Sequence, residues 1–281
     1  MSGGRMGGKR KAEEAGVAGA SGASAPRGGG GAGRVYLVAP GAGGGTPEGV
    51  VRVLQSFPGT SAVEVVPPVK AGSKRVWDVA AVGRNVGTVW SAIEAAVGKH
   101  GGQRVTLVGH SFGCRVLAAV LADDRDRAER LCEPAVIFSG YPLFATRVPK
   151  KSGGQRVDQL TQLARDGPRG FRYLFVSGEE DDFLKAIHVQ EETRTGGALL
   201  EATLRACVEE ARAGSSGAGG AAHGLQHTIH MVGQKINLAE KRNVRNKHKV
   251  GHDAFARPEN DEASALAILG HLGDGAKRAR T

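Results

Sequence analysis

Residues 104–114, Arg104-Val105-Thr106-Leu107-Val108-Gly109-His110-Ser111-Phe112-Gly113-Cys114, decide how the chain is read. The β-branched apolar run predicts a strand over Val105 to Val108, and the apolar stretch from Cys114 to Leu121 predicts a helix directly after it. Between them stands Gly-x-Ser-x-Gly, with Ser111 at its centre. A bend that swings a strand straight into a helix leaves no room for side chains two residues before or after the serine, which accounts for Gly109 and Gly113. The serine is pushed out at the top of the sheet, at a helix N-terminus, where backbone N–H groups and the macrodipole favour developing negative charge. In a chain with 44 glycines the motif alone is a weak signal, and its place between an apolar strand and an apolar helix gives it weight.

A serine hydroxyl is a poor nucleophile at neutral pH. It needs a general base, a carboxylate to orient that base, and donors for the oxyanion. In sheets of this kind the chain order is serine, then acid, then histidine. The strand Tyr173-Leu174-Phe175-Val176 runs through Ser177-Gly178 into Glu179-Glu180-Asp181-Asp182-Phe183, an acidic cluster at a strand's C-terminal end, where sites on open parallel sheets form. Asp181 is the first candidate for the acid and Asp182 the reserve. The base is expected between the last strand and the closing helix, which points to His252. His248, His230, His227 and His223 lie earlier in the chain. His227 and His230 make an H-x-x-H pair, but without a third ligand at fixed spacing no metal site is expected.

The oxyanion donors are expected from the backbone N–H of Phe112 and from the loop Pro40-Gly41-Ala42-Gly43-Gly44-Gly45-Thr46, whose glycines let bare backbone approach a substrate. A phosphate-binding reading of those glycines fails. No G-x-x-x-x-G-K-[ST] is present, and Thr46 stands where G-x-G-x-x-G needs its third glycine. No metal and no organic cofactor is expected.

The pattern extends on both sides. Val35 to Val38 predicts a strand ending at Pro40, Gly49 to Ser56 a short helix, and Ala62 to Val66 a strand stopped by Pro67-Pro68. Val86, Trp90, Ile93 and Val97 make one stripe of an amphipathic helix. Ala135 to Phe138 and Thr228 to Val232 predict further strands, and Leu200, Leu204, Cys207 and Ala211 another helical stripe. Glu262 to Leu272 predicts a closing helix with Ala265, Leu269 and Leu272 inward. Continuous apolar strands separated by helices predict an α/β fold, a mostly parallel sheet with helices on both faces.

With 281 residues, 40% of them hydrophobic, the chain is long enough to fill a real core. Residues 1–33 are Gly, Ala and Ser with almost no apolar bulk and are expected to be disordered. The domain is expected over residues 34–273, followed by a basic tail over 274–281. The formal net charge of +10 sits mostly in the two tails and in the stretch from Lys235 to Lys249, so the basicity is local and nucleic acid is not the expected partner. Lys9-Arg10-Lys11 fits either a nuclear-import signal or a solvated cluster. Cys114, Cys132 and Cys207 are odd in number and lack Cys-x-x-Cys spacing, so neither a disulfide framework nor a thiolate zinc site is indicated and core thiols are expected. No run of about 18 apolar residues and no apolar leader occurs, so the expected location is the cytoplasm or nucleus.

Gly41-Ala42-Gly43-Gly44 after a strand, Gly109-His110-Ser111-Phe112-Gly113-Cys114-Arg115, Gly140-Tyr141-Pro142-Leu143, and Leu174-Phe175-Val176-Ser177-Gly178 with Asp181 and Phe183 resemble the α/β-hydrolase-like family of the NSL-complex regulatory subunit and testis-expressed hydrolase-like proteins, relatives of dienelactone hydrolases. The resemblance runs through residues 34–273. It implies Ser111, Asp181 and His252 as a triad, with Ala42 and Phe112 as oxyanion donors. It also implies a serine hydrolase acting on an ester or thioester of a small-molecule acyl substrate. Two departures stand out: Pro40 occupies a position where such proteins usually carry His, and the basic stretch 235–249 reads as an insertion. The opening strands of a full hydrolase sheet are expected to be absent, because residues before 34 are Gly-rich. The rival reading is a non-catalytic module that keeps the architecture and engages a protein complex.

Overall fold

A computed structural model describes residues 33–67, 79–143, 156–179, 181, 183–184, 196–214, 225–232 and 261–278. Six strands form one sheet: β1 (Arg34–Ala39), β2 (Thr60–Val65), β3 (Val105–His110), β4 (Cys132–Ser139), β5 (Arg172–Gly178) and β6 (Gln226–Val232). Their order is β2-β1-β3-β4-β5-β6, and every neighbouring pair is parallel. The helices are α1 (Glu48–Gln55), α2 (Val79–Lys99), α3 (Phe112–Asp123), α4 (Arg125–Leu131), α5 (Asp158–Asp166), α6 (Gly196–Gly214) and α7 (Asp261–Arg278).

Parallel strands bury both faces, and successive side chains point to opposite ones. Val35, Leu37, Leu107, Val136, Phe138, Tyr173 and Phe175 pack toward Trp90, Ile93, Leu117, Leu121, Leu160, Leu163, Leu200 and Leu204 of α2, α3, α5 and α6. The alternate residues Tyr36, Val38, Val108, Ile137, Leu174 and Val176 pack toward Val50, Val53 and Leu54 of α1 and Ile268 and Leu272 of α7. Helices thus cover both faces, as the continuous apolar runs predict.

One expectation is corrected. On α7 the buried positions are Ser264, Ile268, His271 and Leu272, while Leu269 is 38% exposed. A residue one step past Ile268 is turned about 100° away from the sheet, so Leu269 faces outward. Two helices went unread in the sequence. α4 is capped by Asp124, whose Oδ1 accepts the N–H of Arg127 at 3.0 Å. α5 is two and a half turns with only Leu160, Leu163 and Ala164 as its apolar stripe.

The strand order places a switch point beside β3. From β1 the chain leaves outward to β2, then crosses back so that β3 lies on β1's other side. Loops leaving β1 and β3 diverge from that point, and the crevice at the strands' C-terminal ends is where ligands bind in open α/β sheets.

Strand β6 forms the other edge. His230 shares a groove of about 730 Å³ with Arg172, His227 and His271, between the β5–β6 edge and α7. Burial holds the His230 imidazole below its ordinary value of 6.5. The folded state favours the neutral ring, so below about pH 6.5 the unfolded chain takes up the proton more readily and stability falls as pH falls. His230→Gln is expected to shrink the loss of Tm between pH 7.5 and 5.5 in scanning calorimetry. An unchanged loss would clear His230 of the acid sensitivity.

Candidate active site

Ser111 sits between β3 and α3 with φ 52° and ψ −119°, and it alone among the described non-glycine residues has positive φ. Such backbone costs about 1–3 kcal/mol and persists only where the surroundings impose it. The constraints are visible. The Ser111 N–H donates to the Ser139 carbonyl at 2.9 Å, and the Cys114 N–H donates to the Ser111 carbonyl at 3.0 Å. A Cβ on Gly109 would lie 2.7 Å from the Cys114 Cα, and one on Gly113 would run into the carbonyl oxygen of Ala39. The two glycines are required for the reason the sequence suggested: one clears the following helix, the other the neighbouring strand. The Ser111 side chain makes no capping hydrogen bond to α3, so its hydroxyl is not spent on the helix that follows it.

The loop after β1 lies against this bend. A Cβ built on Gly41 would be 3.3 Å from the Ser111 Cβ and 3.5 Å from His110 Cδ2. A turn closes behind it, with the Gly44 N–H donating to the Gly41 carbonyl at 3.0 Å. Ala42 packs partly buried against the core, and Phe112 opens α3, where the first N–H groups of a helix have no partner within it. A pocket of about 440 Å³ opens beside them, lined by Gly41, Gly43, Gly45, Thr46, Glu48 and His110 among others.

Asp181 follows β5 and is fully buried. Its Oδ1 accepts the Phe183 N–H at 2.9 Å, its own N–H donates to the Gly178 carbonyl at 3.1 Å, and its carbonyl accepts the Leu184 N–H at 3.0 Å. The carboxyl is therefore fixed by a local turn. It is close enough to the bend that its charge bears on Cys114. That thiol is pushed well above its ordinary range, first by complete burial and also by Asp181, and its Sγ donates to the Ser139 carbonyl at 3.3 Å. Cys114 is a core thiol and not a competing nucleophile.

The fold thus gathers Ser111, the Gly41–Ala42 loop, Phe112 and Asp181 along the C-terminal ends of β1, β3 and β5. His252, His248, His223, Asp182 and the basic stretch 235–249 lie outside the described residues. His227 is engaged elsewhere: its ring nitrogens stand 3.0 Å from the Leu225 carbonyl and 2.9 Å from Glu201 Oε2 of α6. Strand periodicity points the His227 and His230 side chains to opposite faces of β6, although the groove at this strand edge touches both residues. Among the described residues no three potential ligands come together for a metal. Nor is any described helix long and apolar enough to cross a membrane.

One residue of this edge escaped the sequence reading. Every residue of α3 from Phe112 to Ala122 is buried, including Arg115 at 1% exposure. Its Nε donates to Gln159 Oε1 of α5 at 3.0 Å, and its guanidinium carbon lies 6.0 Å from the centre of the Phe112 ring. A single charge inside an otherwise apolar helix was the available signal.

No protein-family model and no curated protein matches the chain. Solved structures do. A candidate cell surface hydrolase from Lactobacillus plantarum superposes with a TM-score of 0.50 at 8% identity, over 86% of this chain and 92% of that one. Dienelactone hydrolase from Anabaena variabilis gives 0.48 at 12% identity, over 87% of each chain. A candidate hydrolase of the α/β superfamily from Xanthomonas campestris gives 0.43 at 12% identity, over 86% and 99%. The open parallel sheet in this strand order, with helices on both faces and a serine on the bend after its central strand β3, is the α/β-hydrolase fold.

Proposed function

We propose that the chain is a serine hydrolase that cleaves a carboxylic ester or thioester through an acyl-enzyme. The observation that carries this reading is the positive φ of Ser111, on a bend flanked by two glycines that nothing larger could replace and packed so closely against the loop after β1 that a Cβ on Gly41 would lie 3.3 Å from the Ser111 Cβ. Strain of this kind collects at functional sites. In the proposed reaction the Ser111 oxygen attacks the carbonyl carbon while His252 takes the hydroxyl proton. The N–H groups of Phe112 and Ala42 receive the oxyanion, and Asp181 orients the imidazole and balances its charge. His252 then returns the proton to the leaving oxygen or sulfur, and water repeats the sequence to release the acid. The resemblance to the family of the NSL-complex regulatory subunit is part of the same proposal.

The test is covalent capture. A fluorophosphonate probe mixed with the folded chain is expected to add to the peptide that contains Ser111, located by mass spectrometry, and heat-unfolded chain is expected not to react. A folded chain that stays unmodified at Ser111 defeats the proposal.

A further inference from the structure

The first turns of α3 and α5 meet at the same edge of the sheet as Ser111, and they gather buried positive charge. Arg115, four residues after Ser111, is 1% exposed, and Arg156, just ahead of α5, is 8% exposed. Arg115 uses Nε on Gln159, in the first turn of α5, while its Nη1 is buried with no hydrogen-bond partner. Both guanidinium groups are held below the ordinary arginine value, first by burial. Arg156 falls to about 10, with the charge of Arg115 next among its causes. Among the described residues, the carboxylate whose charge bears on Arg115 is that of Asp158, which is exposed. Neither helix start is capped by a side-chain hydrogen bond: α3 follows Ser111 and α5 follows Val157. Their leading N–H groups add positive partial charge to the same place.

A guanidinium taken out of water is costly unless an anion meets it. The Phe112 ring lies 6.0 Å from the Arg115 guanidinium carbon, and Phe112 belongs to the same buried cluster as Tyr141, Leu143 and Leu160. Arg115 lies about one helical turn, roughly 6 Å along the axis, from the nucleophile and on the core side of it. The pocket beside Gly41 and His110 lies across the bend and is open, which suits a leaving group. A charged group reaching Arg115 therefore belongs to the acyl half.

We propose that Arg115, with Arg156 beside it and the N-terminus of α5 behind, receives a carboxylate carried by the acyl group, so that the substrates are half-esters or half-thioesters of short dicarboxylic acids. This rests on the serine-hydrolase reading above. A planar carboxylate matches the guanidinium fork, and such paired bonds strengthen out of water. At this burial the ligand reaches the site by a local opening of the fold.

Two measurements test it. In the first, the full chain carrying Ser111→Ala is titrated calorimetrically with succinate and, separately, with inorganic phosphate. Saturable succinate binding is expected, weakened at least tenfold by adding Arg115→Met. Absence of succinate binding, or tighter phosphate binding with the same dependence on Arg115, overturns the assignment. In the second, the natural chain is expected to prefer 4-nitrophenyl hemisuccinate over 4-nitrophenyl butyrate at least tenfold in kcat/KM, and Arg115→Met is expected to erase the preference. A preference that survives the substitution overturns the proposal. Should Arg115→Met not fold, Arg115→Lys keeps the charge but loses the fork, and the same losses are expected in both assays. Succinate binding without hydrolysis of either ester would break the hydrolase reading and leave the anion site standing. Hydrolysis of butyrate without succinate binding would do the reverse.

Discussion

Ser111→Ala is expected to lower kcat/KM toward an activated ester such as 4-nitrophenyl butyrate by about four orders of magnitude or more, with the fold retained. The substitution removes one oxygen and keeps the backbone contacts that hold the bend. The Ser111 side chain does not cap α3, and the hydrogen bond at 2.9 Å that anchors the bend to Ser139 comes from the backbone N–H, which alanine keeps. Alanine at φ 52° bears nearly the strain that serine bears, so a change in Tm of more than a few degrees is not anticipated. The residual rate would come from the oxyanion donors and substrate positioning alone. Undiminished turnover by the folded variant would move the nucleophile away from Ser111 and take the whole proposed mechanism with it.

The largest expected effect on stability is at Gly113. A methyl group there would enter the Ala39 carbonyl oxygen and sit 2.6 Å from its carbon and 2.7 Å from the Pro40 carbonyl oxygen. All of these are backbone atoms at the end of β1, a strand paired on both sides by β2 and β3, so no flexible side chain can give way. Overpacking usually costs about 1–3 kcal/mol where side chains can shift; against immovable backbone Gly113→Ala is expected to exceed about 3 kcal/mol in urea unfolding. Gly87→Ala on α2 is the control. Nothing lies within 4 Å of its Cβ position, and a helical glycine replaced by alanine should gain about 0.5–1 kcal/mol. Equal effects at the two glycines would show that the approach of α3 to β1 is looser than described.

The fold was legible because its strands are apolar on both faces. Val35 to Val38, Val105 to Val108 and Tyr173 to Val176 announce buried parallel strands, and the helical stripe from Val86 to Val97 separates two of them. The bend at Ser111 was legible for a local reason, since its glycines are dictated by neighbours in the same turn or in the adjoining strand. Asp181 could be named from its place after a strand, but not its complete burial, which depends on how the turn to Phe183 folds back. The pairing of Arg115 with Gln159 was beyond sequence pattern. It joins two helices that touch only once the sheet has brought β3, β4 and β5 side by side, and α5 itself is too short to advertise its start. Leu269 failed for a simpler cause: Leu266, Ile268, Leu269 and Leu272 spread over more than one helical face, and Ile268 won the contact with the sheet.

The adjacency of β1 and β3 across the switch point also has a consequence for how the protein matures. Val35 finds its register opposite Val105 only after the whole excursion through β2 and α2 has been made, so the glycine loop and the serine meet through a long-range closure. A nascent chain that has emerged as far as α2 holds the glycine loop with no serine opposite it, and Asp181 arrives two strands after β3. On the proposed mechanism, catalytic competence would therefore appear late and all at once during synthesis, which would make turnover a reporter of completed sheet assembly.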